Sequence, residues 1–378
     1  MKSKLPNIGT TIFTSMSALA KEHNAINLSQ GFPDFECDNK LKELASKYIY
    51  DGANQYAPMA GTLQLRERIA EIVETCYKTK YDVNSEITVT AGATQAIYTA
   101  IATLINFGDE VIIFEPAYDC YSPAILVHGG VPIPIQLTAP DFKINWHEVK
   151  NKITAKTKCI IINTPHNPTA TILNETDITE LQKIVLENNL FLISDEVYEH
   201  MTFDNAKHFS IAQWPNLKER SIIVSSFGKT THTTGWKIGY VLSSNLISAE
   251  FRKIHQYLVF CVNNPLQLAL ADYLKDENNY KSISNFYESK RNYFVDKIKK
   301  SRFKILPSKG TYFQLLDYSS ITDENDTDYA IRLIKEHKIA SIPLSVFYSK
   351  ETNQKLLRFC FAKKDETLIK AAEILCSI

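Results

Sequence analysis

Lys229 stands in the run Ser225-Ser226-Phe227-Gly228-Lys229, and Lys237 follows in Thr234-Gly235-Trp236-Lys237. Asp195 closes the apolar run Phe191-Leu192-Ile193-Ser194 and leads into Glu196-Val197-Tyr198. A desolvated lysine amine loses its proton near neutral pH and can then condense with a carbonyl. A carboxylate at the end of a buried strand is costly unless paired, and a protonated ring nitrogen is a fitting partner. Gly92-Ala93-Thr94 opens a helix-forming stretch, Gln95 to Leu104. The free N–H groups at a helix start accept a phosphate. Each residue also has a plainer reading. Lys229 alone is a solvated surface amine, Asp195 caps a helix over 196–200, and residues 92–94 make an ordinary strand-to-helix turn.

The elements around these residues decide between the readings. From about residue 85, strand-like runs alternate with helical stretches: Ile87–Thr90, Glu110–Phe114, Cys159–Ile162, Phe191–Ser194 and Ser221–Val224. Such alternation indicates βαβ units, and continuous apolar runs indicate strands buried on both faces. Ligands of open parallel sheets bind at the carboxyl ends of the strands. Gly92, Asn167, Asp195, Ser226 and Lys229 all follow such ends. Their convergence on one rim, with an amine, a carboxylate and a phosphate-holding turn, meets the needs of pyridoxal phosphate.

After about residue 275 a polar helix pattern, 277–300, leads to the alternating stretch 310–316, another helix and the run 356–361. The expected fold class is α/β, a mostly parallel central sheet flanked by helices, with a smaller α+β domain. The expected large domain covers 41–275. Residues 1–40 and 276–378 are expected to form the small one, the first 40 packing against the terminal part.

Composition narrows the rest. The 378 residues carry 42 Lys and Arg against 42 Asp and Glu, so no basic excess points to nucleic acid. No apolar run has the length of a membrane span. The start, with Thr10, Thr11, Thr14 and Ser15, is too polar for a secretion signal. Seven scattered cysteines without a paired motif suit a reducing, cytoplasmic setting, and the nine histidines show no metal spacing.

The run around Lys229, S-S-F-G-K-T-x-x-x-T-G-W-K-I-G-Y, resembles the cofactor-lysine signature of class I aminotransferases of pyridoxal phosphate fold type I. So do N-L-S-Q-G-F-P-D-F (27–35), N-Q-Y-A-P-M-A-G (54–61), T-V-T-A-G-A-T-Q-A (88–96), E-P-A-Y-D-C-Y (115–121), N-T-P-H-N-P (163–168), S-D-E-V-Y-E-H (194–200), G-T-Y-F (310–313), I-P-L-S-V-F (342–347) and R-F-C-F-A-K-K (358–364). The similarity is nearest to the methionine and kynurenine–glutamine aminotransferase branch, bacterial methionine aminotransferases in particular.

That resemblance implies roles. Lys229 would bind the cofactor covalently and shuttle a proton, and Asp195 would pair with the pyridine nitrogen. Tyr198 and Asn167 would bond the phenolic oxygen, and Tyr118 would stack on the ring. Gly92, Ala93, Thr94, Ser226 and Lys237 would surround the phosphate, joined by Tyr56 of a second copy in a homodimer. Arg358 would take the substrate carboxylate, helped by Asn167 and the Gly31 backbone. His166 departs from the commoner residue at its position, without bearing on Asn167.

An apolar pocket of Phe32, Phe35, Tyr56, Tyr118 and Phe347 would favour methionine, aromatic amino acids or kynurenine, with a 2-oxo acid as acceptor. No second arginine stands ready for an acidic side chain. Two other readings use the same scaffold, a carbon–sulfur β-lyase and a cofactor-binding gene regulator. The regulator would need a DNA-binding extension, which is not seen.

Overall fold

The computed structural model of the chain describes residues 2–378. Strand β1 (Ile26–Asn27) lies outside the main sheet. The main sheet holds β2 (Ile87–Thr90), β3 (Glu110–Glu115), β4 (Val131–Gln136), β5 (Thr157–Asn163), β6 (Phe191–Asp195), β7 (Ser221–Ser226) and β8 (Gly239–Ser243). Their order is β2-β8-β7-β6-β5-β3-β4. Strands β4, β3, β5, β6 and β7 pair in parallel, and β8 runs antiparallel to both β7 and β2.

Side-chain alternation divides the apolar core between the two faces of this sheet. Val111, Ile113, Ile161, Ile193, Ile222 and Val224 pack with Ile97, Ala100 and Ile101 of the helix Gly92–Leu104. Ile112, Phe114, Ile160, Ile162 and Leu192 face the opposite way, into the larger core with Ile178 and Leu181. Both faces are covered, which is why these strands read as continuous apolar runs.

The C-terminal part contributes β9 (Lys304–Ile305), β10 (Phe313–Asp317), β11 (Ile339–Ala340), β12 (Ile342–Pro343) and β13 (Leu356–Cys360). A four-stranded sheet runs β12-β13-β10-β9, and β11 pairs in parallel with β1. The N-terminal segment is therefore tied to the C-terminal part through Ile26 and Ile339. Two contacts dock this part near the main-sheet rim. Thr202 bridges Gly310, and Arg291 holds Asp204 with both terminal nitrogens, at 3.0 and 2.6 Å, while donating to the Ser308 carbonyl.

Several sequence expectations change. β4 carries Pro132 and Pro134, an unfavourable pattern for an inner strand, but it lies at the sheet edge beside β3 alone. An edge strand tolerates residues without an N–H. β8 has no counterpart among the expected strands, its residues having served only as part of the lysine motif. The single helix expected over 277–300 is two, Asn278–Lys281 and Ile283–Ile298. The helix expected from Gln95 begins at Gly92. Among the described residues, no helix is long and apolar enough to cross a membrane.

Candidate active site

Strand register assembles one rim. Asn163 pairs with Asp195 at the ends of β5 and β6, and Ser226 pairs with Gly239 where β7 ends. Ala93, Thr94, Tyr118, Asn167, Asp195, Tyr198, Ser226, Lys229 and Lys237 line a single cavity there, with Asn163 and Val197. Nine residues anticipated from the sequence thus share one space.

Asp195 is buried and has two hydrogen bonds, from the Tyr121 hydroxyl at 2.5 Å and from the Val197 N–H at 3.3 Å. Among the described residues no cation forms an ion pair with it. Burial pushes its carboxyl up to about 6, with the Tyr121 hydrogen bond opposing that rise. Such a carboxylate lacks a positive partner. Tyr198 reaches the same cavity from a turn, and the helix over 196–200 that the plainer reading of Asp195 requires does not form. Residues 197–200 form turns, with the Glu199 N–H donating to the Glu196 carbonyl and the Met201 N–H to the Tyr198 carbonyl.

That turn is anchored from behind. The Glu199 carboxylate accepts from the hydroxyls of Tyr77 (2.5 Å), Tyr240 (2.9 Å) and Ser225, and Glu196 accepts from Ser194 (2.8 Å) and the Ile211 N–H (3.0 Å). Buried acids satisfied in this way fix the backbone that carries Asp195 and Tyr198.

The helix Gly92–Leu104 points its N-terminus into the cavity, and its cap residue, Ala91, has no side chain to satisfy the first N–H groups. Gly92 has φ +79°, and a Cβ there would sit 3.1 Å from Lys237 Nζ. The lysine amine and the helix start are thereby brought together around a space only glycine leaves open. Ser226 lines the same cavity. This is a cradle for an anion.

Lys229 occupies the short helix Phe227–Thr230, directly after β7. Its Nζ donates to Tyr312 Oη at 2.8 Å and faces the Gly31 carbonyl at 3.4 Å. Burial draws the amine down to about 8. The residues present therefore fit pyridoxal phosphate: a free carboxylate for the ring nitrogen, an amine for the aldehyde, and a cationic helix start for the phosphate.

Arg358 lies in β13, between Leu315 and Ile342 of neighbouring strands. It is 1% exposed, and no carboxylate among the described residues bridges it. Its Nη1 donates to Asn167 Oδ1 at 2.7 Å and Nη2 to the Ser29 carbonyl at 3.1 Å, while buried Nε has no partner. The guanidinium rests 3.9 Å from the centre of the Phe313 ring, with Phe347 at 5.4 Å. Burial lowers its pKa to about 10, which leaves it charged at neutral pH. A buried cation held by neutral groups calls for an anion.

Other anticipated residues lie elsewhere within this chain. Tyr56 is 81% exposed and packs edge-on against Phe260. The Phe32 ring stands over Lys363 Nζ in a separate groove with Asp34 and Glu366. Phe35 packs on His232 and Phe286. His166 is buried beside Thr169 Oγ1 at 2.6 Å, with burial holding its ring down to about 4 and therefore neutral. Two contributors had no role assigned from the sequence, Tyr121 and Tyr312. Tyr121 had no signal beyond its place in E-P-A-Y-D-C-Y. Tyr312 had no signal beyond its place in G-T-Y-F.

A fold of this topology with a lysine, a carboxylate and an anion cradle on its rim defines a pyridoxal phosphate enzyme. The family model for aminotransferase class I and II matches residues 23–375, and the chain belongs to that family, whose members use pyridoxal 5′-phosphate. It is 50% identical over 373 residues to the methionine aminotransferase of Escherichia coli K12, covering 98% of this chain and 97% of that one. A solved Escherichia coli structure, reported with a methionine aminotransferase function, superposes with a TM-score of 0.98 at 50% identity, covering 100% and 99%. The N-succinyldiaminopimelate aminotransferase of Mycobacterium tuberculosis gives 0.96 at 34% identity, covering 100% and 99%. Human kynurenine–oxoglutarate transaminase 3 is 32% identical over 403 residues, covering 98% and 89%.

Proposed function

We propose that this aminotransferase prefers methionine and large neutral or aromatic amino acids, kynurenine among them, as donors to a 2-oxo acid. The observation that carries substrate binding is Arg358, a buried guanidinium with a free Nε and no carboxylate partner. Its planar fork suits an α-carboxylate, with Asn167 beside it.

Side-chain preference rests on a second cavity, of about 1060 Å³, that meets the first at Thr94 and Tyr118. Ile8, Ile12, Ala117, Val346 and Phe347 give it an apolar wall. No arginine lines either cavity among the described residues, and Asp119 adds a negative charge. Those features disfavour an acidic side chain. The relation to the Escherichia coli methionine aminotransferase points the same way.

Pyridoxal phosphate, when bound, supplies the electron sink that acidifies the substrate Cα–H. Asp195 would hold the proton on the ring nitrogen. Tyr198 and Asn167 would hydrogen-bond the ring oxygen, and Tyr118 would stack on the ring. Gly92, Ala93, Thr94, Ser226 and Lys237 would grip the phosphate. Lys229, drawn to about 8, would take the Cα proton and return it at the cofactor's C4′ carbon. A second half-reaction with a 2-oxo acid would run in reverse, giving ping-pong kinetics. This reading favours transamination over the β-lyase.

The exposed Tyr56, with exposed Tyr257, Leu258 and Phe260 nearby in sequence or contact, supports a homodimer in which Tyr56 reaches the partner's phosphate. We further propose 41–275 as the cofactor domain, with 1–40 and 276–378 as the second. The free state of all seven cysteines supports a cytoplasmic setting.

The test is a panel of amino acids mixed singly with holoenzyme, following cofactor absorbance without an oxo acid. Methionine and aromatic donors should convert the spectrum fastest. Faster conversion by aspartate or glutamate would refute the preference, and ammonia release without an acceptor would favour the lyase.

A further inference from the structure

Lys229 needs somewhere to go. Its amine is joined to the cofactor for part of a catalytic cycle and free for the rest, and a free lysine has four rotatable bonds in which to wander. The structure shows where the free amine rests: 2.8 Å from Tyr312 Oη and 3.4 Å from the Gly31 carbonyl. The Tyr312 hydroxyl itself donates to that same carbonyl. A phenol has one proton to give, so its donation to Gly31 turns the remaining oxygen lone pairs toward Lys229. The acceptor role of Tyr312 is thus set by a second hydrogen bond.

The ring is held as firmly as the hydroxyl. Tyr312 is fully buried, edge-on to Tyr198 at 5.2 Å, with Tyr287 at 5.6 Å and Phe313 at 4.9 Å. Gly31 is equally constrained, since a Cβ there would lie 2.8 Å from the Phe313 ring. Both acceptors are neutral oxygens. A carboxylate in their place would pull the amine toward its charged form, whereas these leave it ready to shed a proton. The other ionisable groups acting on the amine are Cys360, Lys237, Arg358, Asp195 and, through its ring, Tyr198. The same stretch of backbone also serves the arginine, because the Ser29 carbonyl accepts from Arg358.

We propose that Tyr312 is a positioning residue that parks the free Lys229 amine against the Gly31 carbonyl, aimed for its proton transfers and its return to the cofactor. The inference rests on the functional reading above. Tyr312→Phe keeps the ring packing and removes the hydroxyl that accepts from Lys229 and donates to Gly31.

The experiment strips cofactor from the full-length protein, adds pyridoxal phosphate back, and follows the rate of covalent attachment by absorbance across pH. Steady-state kcat and KM of the reloaded enzyme are measured alongside. Tyr312→Phe should lower the plateau rate several-fold and move the inflection to lower pH, because a hydrogen bond to the ammonium form is gone. It should lower kcat with KM little changed. An unchanged plateau and inflection would overturn the proposal, as would a rise in KM at constant kcat. If Tyr312→Phe melts early, 3-fluorotyrosine at the same position, a weaker acceptor, should move the inflection the same way, and no movement overturns the proposal. Wild-type protein that never attaches cofactor would instead sink the functional reading, and this inference with it.

Discussion

Arg358 Nη1 donates to Asn167 Oδ1 at 2.7 Å, joining residues 191 apart in sequence and binding the small C-terminal sheet to the rim of the main one. One amide therefore stands between the proposed carboxylate site and the proposed cofactor oxygen. Seating a substrate at the arginine would be felt at the cofactor through this contact.

Arg358→Lys should keep the charge and lose the fork. A lysine makes a point contact where the guanidinium offers parallel N–H donors. Loss of one charge-assisted hydrogen bond corresponds to about 1.5–3 kcal/mol. KM for the amino donor should rise about 10- to 100-fold, with cofactor binding retained. An unchanged KM in steady-state assays would remove Arg358 from the carboxylate site.

Asp195→Asn should separate stability from function. In the cofactor-free protein the carboxyl is raised from 3.8 to about 6, a displacement corresponding to about 3 kcal/mol. The sign follows from proton counting. Between those values the folded state binds more protons than the unfolded, so wild-type stability falls as pH rises through the window and stays reduced above about 6. The variant without cofactor should resist urea better than wild type at pH 8, with the difference vanishing below about pH 4. Its half-reaction should nonetheless slow by orders of magnitude, because the ring proton has lost its counter-charge. Equal urea midpoints at pH 8 would contradict the raised carboxyl.

The legibility of this chain follows from which residue types stand out against a packed background. Asp195 was readable because a carboxylate closing an apolar strand is unusual, Lys229 through the motif around it and Arg358 through the resemblance of 358–364, and βαβ alternation fixed where the strands must end. Tyr121 and Tyr312 escaped because buried tyrosines are common in cores, and nothing in a linear string shows that a hydroxyl meets Asp195 or Lys229. Phe32 and Phe35 follow Gly31 closely in sequence, yet within this chain the Gly31 carbonyl faces Lys229 while the Phe32 ring meets Lys363 and Phe35 packs on His232 and Phe286. β4 was hidden by its prolines because edge position is a tertiary property.

Lys229→Ala should bind pyridoxal phosphate through the helix start, Lys237 and Asp195 but never hold it covalently. Removal of a positioned base that serves both proton transfers should lower kcat by about a thousandfold or more. Intact-mass spectrometry after borohydride treatment should show the cofactor adduct in wild type and none in the variant. Near wild-type turnover would take Lys229 out of the mechanism.

Tyr121→Phe tests how Asp195 keeps its charge. The Tyr121 hydroxyl donates to Asp195 Oδ2 at 2.5 Å and lowers its pKa against the stronger opposing effect of burial. Removing that donor leaves burial less opposed, so the carboxyl must climb above about 6. The ring nitrogen requires the ionised form, and a higher pKa means fewer ionised carboxyls at any given acidic pH. The acid limb of cofactor affinity, measured by fluorescence titration from pH 5 to 8, should therefore shift toward higher pH, while affinity at pH 8 changes little. The ring of Tyr118 lies 5.9 Å from that of Tyr121, and the phenylalanine preserves this packing. A shift in the limb at constant alkaline affinity is thus an electrostatic signature, whereas a uniform loss across the pH range would mark Tyr121 as a packing residue alone.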